Sequence, residues 1–146
     1  GPVTYQRYVL ALIRRGPADG RVGPISQLIK PKEITMYAQL TYFDGPRTSE
    51  QQAAEEFASQ ERLFPAVSQL GQAFRVYRLC RDDGSLVVIS IADSQQALLD
   101  AQKAIMSTEL LPGEDPSLLP GPDRIELYPV LAVHDIAAAS DNGSAR

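Results

Sequence analysis

The sequence predicts an α+β domain, and three observations predict it. Two runs rich in β-forming residues, Phe74 to Cys80 and Leu86 to Ile91, flank Asp83-Gly84, the dipeptide that a tight hairpin turn favours. Two stretches carry apolar residues at helical spacing, and each opens on a residue suited to cap a helix, Thr48 or Ser49 for one and Ser94 for the other. One further β-rich run precedes the first helix and another follows the second. The resulting order, β-α-β-β-α-β, is that of a ferredoxin-like core, a four-stranded antiparallel sheet with two helices on one face.

The elements follow in order. Gly1-Pro2 reads as the remnant of a cleaved tag. In residues 4 to 15, Tyr5, Tyr8, Val9, Leu12 and Ile13 fall at helical spacing, yet Tyr8 to Ile13 would serve equally as a short buried strand. Gly16 to Lys32 is punctuated by three prolines and three glycines, so residues 1–33 are expected to be an N-terminal extension that wraps a neighbouring surface. The domain proper spans 34–136. Its first strand, Ile34 to Phe43, alternates Met36, Ala38 and Leu40 with Tyr37, Gln39 and Thr41. The first helix runs to about Leu70 with Ala54, Phe57, Ala58, Phe64, Val67 and Leu70 as its buried stripe, and Pro65, which lacks an amide hydrogen, should kink or break it.

After the hairpin, the second helix presents Ala97, Leu98, Ala101, Ala104 and Ile105 on one face. Gln102 shares that stripe, either as an edge residue or as a polar group pointing into a pocket. Leu111 to Asp123 holds four prolines and cannot be regular structure, so it is either a lid or an interface arm. Arg124 to Ile136 is the last strand, and Pro129 demands a bulge or an edge position. Residues 137–146 are expected to be a disordered tail.

Composition narrows the function classes. With 44% hydrophobic and 22% charged residues in 146, the chain has the means to bury one core. A net charge of −4 and no Lys/Arg stripe argue against nucleic acid. A single cysteine, Cys80, makes no internal disulfide and fits a reducing, cytoplasmic setting as a packing residue. His134 is the only histidine, which excludes a multi-histidine metal site, and no EF-hand spacing, P-loop, GxGxxG or Ser/His/Asp constellation is present. No apolar run reaches about 18 residues, so no membrane span is expected.

Closing the hairpin on Asp83-Gly84 as a two-residue turn sets Leu79 opposite Val88, Tyr77 opposite Ser90 and Arg75 opposite Ala92. The other face then shows Phe74, Val76, Val87, Ile89 and Ile91, too apolar a patch to leave to water. Face-to-face pairing of two sheets, a homodimer, follows as the expected solution.

The run YRLCRDDGSLVVISIADSQQAL, with the helix and strand before it, resembles the antibiotic-biosynthesis monooxygenase domain of the dimeric α+β barrel superfamily, over residues 34 to 134. The resemblance implies a pocket between helices and sheet, and either cofactor-independent oxygenation of anthrone- or quinol-like aromatics or haem degradation. Haem degraders of this kind use an Asn, a Trp and a His where this chain has approximately Gln39, Ala92 and Gln102, and the chain has no Trp. No cofactor is therefore expected. The aromatic oxygenases are likewise described with Trp, His and Asn near the substrate. The hairpin register gathers Arg75, Tyr77 and Ser90 on one face, and the resemblance adds Tyr37 and Gln39; with Gln102 these are the candidate ligand-binding residues. A Tyr hydroxyl beside an Arg would hold a bound phenol as its anion. Two functions follow as expectations: a cofactor-independent monooxygenase-like protein acting on a small aromatic or polyketide-like compound, or a non-catalytic dimeric ligand-binding or structural module.

Overall fold

The computed structural model describes residues 35–140, so the expected N-terminal extension and the end of the tail lie outside the described residues. The elements are β1 (Tyr37–Phe43), α1 (Ser49–Ala58), a π-helical turn (Ser59–Leu63), α2 (Phe64–Ser68), β2 (Arg75–Cys80), β3 (Leu86–Ala92), α3 (Gln95–Met106), a 3₁₀ turn (Pro116–Leu118) and β4 (Arg124–Pro129). The four strands form one antiparallel sheet in the order β2-β3-β1-β4, and the α+β architecture is compatible with a ferredoxin-like fold.

Local chemistry explains the helix starts. Thr48 accepts a hydrogen bond from the Gln51 amide while the Gln51 side chain accepts from the Thr48 amide, so two otherwise orphaned donors are satisfied reciprocally. Ser94 caps α3 through the Ala97 amide at 3.0 Å. The break expected at Pro65 takes the form of the π turn. Proline cannot donate to residue 61 and its ring crowds that carbonyl, and the widened turn at 59–63 absorbs both effects without ending the helical run. Of the expected stripe, Ala58 is buried, whereas Phe57 is 46% exposed, because the helix turns that residue away from the sheet.

The hairpin register differs from the expected one. Arg75 pairs with Ile91, Tyr77 with Ile89 and Leu79 with Val87. The reason lies in the turn: Gly84 N donates to Arg81 O at 2.9 Å, Arg81 N to Ser85 O at 3.0 Å, and Gly84 has φ +89. The loop is thus three residues, Asp82-Asp83-Gly84, a turn followed by a left-handed glycine, not the two-residue turn on Asp83-Gly84. A slip of one residue turns every β2 side chain to the opposite face. Phe74 and Val76 therefore join the helix side with Gln39, Thr41, Val88 and Ser90, while Arg75 and Tyr77 move to the far side with Leu40, Val87, Ile89 and Ile91.

The core sits between the sheet and α3, around Ala92, Ala97 and Leu98, with Tyr37, Phe74 and Leu127 packed on it. Among the described residues β4 is an edge strand paired only with β1, and it ends at Pro129, short of the expected Ile136. Residues 130–140 have no regular structure and, beyond Val130, are exposed, Leu131 at 85% and Ile136 at 91%. Among the described residues no helix is long and apolar enough to cross a membrane.

Candidate functional site

A cavity of about 350 Å³ lies between the sheet and the helices. Its floor is the inner sheet face: Gln39 and Thr41 from β1, Val76 and Arg78 from β2, Val88 and Ser90 from β3, with Phe74 just ahead of β2. Its roof is Ala58, Ser59, Arg62, Leu63, Phe64 and Val67 on one side and Leu98, Ala101, Gln102 and Ile105 of α3 on the other. The proline-rich loop closes one flank with Pro116, Leu118, Leu119 and Pro122. The loop expected to be either a lid or an interface arm thus forms part of the cavity wall.

Of the candidate residues, the structure brings Gln39, Ser90 and Gln102 to the cavity. Tyr37 shares their sheet face but packs on the Ala92–Leu98 core. Arg75 and Tyr77 lie on the opposite face, where the Arg75 guanidinium donates to the Tyr77 hydroxyl at 3.5 Å. The proposed Tyr–Arg pair beside Ser90 is therefore corrected by the register, and Val76 and Arg78 occupy those places. Gln102 is 4% exposed and Gln39 1%, so both are interior residues rather than edge ones.

Sequence reasoning missed Arg78. Its guanidinium donates to Glu56 Oε1 at 2.7 Å and to Glu55 Oε1, both from α1, clamping the helix to the sheet. Burial works against the Arg78 charge, but the hydrogen bonds and charges of Glu55 and Glu56 outweigh it and raise its pKa above the ordinary arginine value. Glu55 also accepts from the Ser59 hydroxyl at 3.0 Å, so the one carboxylate among the described residues that line the cavity is occupied twice. The signal for this cluster was the adjacent Glu55-Glu56 on a helix facing a strand arginine, a pairing across more than 20 residues that no local spacing reveals.

A second clamp holds the loop. Arg62, inside the π turn, meets Glu114 in a two-pronged pair at 2.7 and 2.9 Å and donates to Thr108 Oγ1 at 2.8 Å. Glu114 also accepts from the Leu111 amide at 2.8 Å. The Arg62 hydrogen bond holds the Glu114 carboxyl below its usual 4.5, with burial opposing and the Leu111 amide assisting.

Against this paired background, two buried polar side-chain atoms among the described residues have no partner: Gln39 Oε1 and Arg78 Nε. Both residues line the cavity. Nowhere among the described residues do three or more His, Cys, Asp or Glu side chains gather where a metal ion could be held. Compared with known protein families the chain matches none, and no curated protein matches it either.

Proposed function

We propose that the protein takes a small aromatic or polyketide-like compound into the cavity between its helices and sheet and acts on it as a cofactor-independent monooxygenase-like protein. The observation that carries this reading is the cavity itself: about 350 Å³ with walls mainly of Phe, Leu, Val, Ile and Pro, and with two unsatisfied polar atoms among them. A concave, mostly apolar pocket of this size with a few unsatisfied polar groups is the usual form of a ligand site. In such a reaction the substrate's own electron-rich ring reduces oxygen, and the protein's part is to orient the ring, exclude water and hold developing negative charge. The Nε–H of Arg78, left without a partner while the rest of the guanidinium is held by two carboxylates, is the donor this reading assigns to that task.

A second reading, a non-catalytic ligand-binding module, is favoured by one specific observation. Among the described residues Glu55 is the only carboxylate lining the cavity, and Arg78 and Ser59 already occupy it, so none of the described carboxylates there is free to deprotonate a substrate. We further propose that two copies pair through the outer sheet face, as in a dimeric α+β barrel. All described helices and the proline-rich loop lie on the cavity side, and Tyr77, Leu79 and Tyr128 on or beside the far face are 45%, 50% and 50% exposed.

The test is to titrate the purified chain with anthrone, following binding by fluorescence and oxygen consumption by electrode. Uptake above the spontaneous rate that disappears in Val76→Trp, which fills the cavity, supports oxygenation. Binding without uptake supports the second reading. Neither binding nor uptake overturns both.

A further inference from the structure

We infer that Gln39 is the anchor of the ligand and that the ligand presents an O–H or N–H to its side-chain carbonyl. The inference rests on the cavity being a ligand site and names the chemistry that site selects. Gln39 lies mid-strand on β1, opposite Ser90 on β3 and Leu127 on β4, at the centre of the four-stranded sheet and 1% exposed. Its Nε2 makes one long contact, 3.5 Å to Thr41 Oγ1, and its Oε1 makes none.

A carbonyl buried without a donor is costly, and an apolar residue of the same shape at that position would avoid the cost. A buried amide oxygen with no donor from the protein is the pattern of a group that meets its partner from a ligand. The terminal amide torsion of glutamine is soft, so Oε1 can swing toward a group in the cavity with little strain. The wall around it is mostly apolar. A cavity of about 350 Å³, more than twice the engineered void of about 150 Å³ that takes benzene, accommodates a fused-ring molecule. A neutral planar molecule with one donor at its edge satisfies Oε1 and buries its remaining surface against that wall.

The experiment is calorimetric titration of the full chain with 2-naphthol and with 2-methoxynaphthalene, which differ by replacement of the donor hydrogen with a methyl group. About tenfold tighter binding of 2-naphthol is expected, the size of one buried hydrogen bond lost. In Gln39→Met the two probes should bind within about twofold of each other and the melting temperature should not fall, with Gln39→Leu as the second variant should the first misfold. Equal binding of both probes to the wild-type chain overturns the assignment and leaves the cavity as a ligand site. A preference that persists in both variants overturns it too, because methyl bulk rather than the missing donor then explains it. Failure of both probes to bind overturns the site and the assignment together.

Discussion

Removing Glu114 tests whether the proline-rich loop is a latched lid. The pair it forms with Arg62 is short and two-pronged, with the side chains 2% and 13% exposed. Glu114→Ala strands a guanidinium whose remaining partner is Thr108 and frees the Leu111 amide. Breaking one side of a buried pair costs about 3–5 kcal/mol, and the partial exposure of Arg62 puts this case near about 3, a fall in melting temperature of roughly 10 °C. Circular-dichroism melts of Glu114→Ala, Arg62→Met and the double variant close a cycle. The double variant should be more stable than the sum of the singles implies by at least about 1 kcal/mol. Additivity within about 0.5 kcal/mol would refute the latch. Acid gives an independent handle. Because the folded carboxyl titrates below its usual 4.5, the pair's contribution is complete above that pH and is lost as pH falls through the lowered folded value. The gap in melting temperature between wild type and Glu114→Gln should therefore hold from pH 7 to about 5 and shrink below about 4.5.

Three further outcomes follow from the same geometry. A Cβ at Gly84 would lie 2.6 Å from Arg47 O and 2.7 Å from Gln52 Nε2, at φ +89, so Gly84→Ala should lose about 2 kcal/mol or more in urea titration. Arg75→Ala and Tyr77→Phe, on the far face, should leave probe affinity within about twofold, whereas Val76→Trp should abolish it; a large loss in the first pair would contradict the register. Leu79→Glu, half-exposed within one copy, should leave the melting temperature of the single chain unchanged but dissociate the proposed pair in sedimentation equilibrium, and a wild-type chain that sediments as a monomer at micromolar concentration would dispose of the pairing.

The element order, the two caps and the β1 faces were legible in the sequence because each follows from chemistry within a few residues. Thr48 and Ser94 cap by reaching amides three positions on. The register was not legible, and the reason is specific. Asp82-Asp83-Gly84 supports a two-residue turn on its last two residues or a three-residue loop using all of them, and Arg47 decides the matter from outside by donating from its backbone to Asp83 O and from its side chain to Gly84 O. Nor could β2 arbitrate by pattern, since Phe74, Val76, Arg78 and Cys80 on one side and Arg75, Tyr77 and Leu79 on the other are about equally mixed. One uncertain residue in a turn thus exchanged the arginine of the site.

That exchange changes the electrostatics of the cavity and narrows what it can hold. Three guanidiniums, Arg47, Arg62 and Arg78, line it, and three carboxylates, Glu55, Glu56 and Glu114, stand in the first helix and the loop against them. Arg62 and Arg78 are paired directly with those carboxylates, and Arg47 spends its Nε–H on Gly84 O and sits 5.7 Å from the Phe43 ring. An anionic ligand would have to compete for donors already committed, and a cationic one would meet no unpaired carboxylate among the lining side chains. What is left unsatisfied is dipolar: one amide oxygen on the central strand and one guanidine N–H on β2. Such a site discriminates by where a neutral molecule carries its hydrogen-bonding edge rather than by charge, so ionic strength should barely move its affinity, in contrast to any surface ion-pair mode of binding.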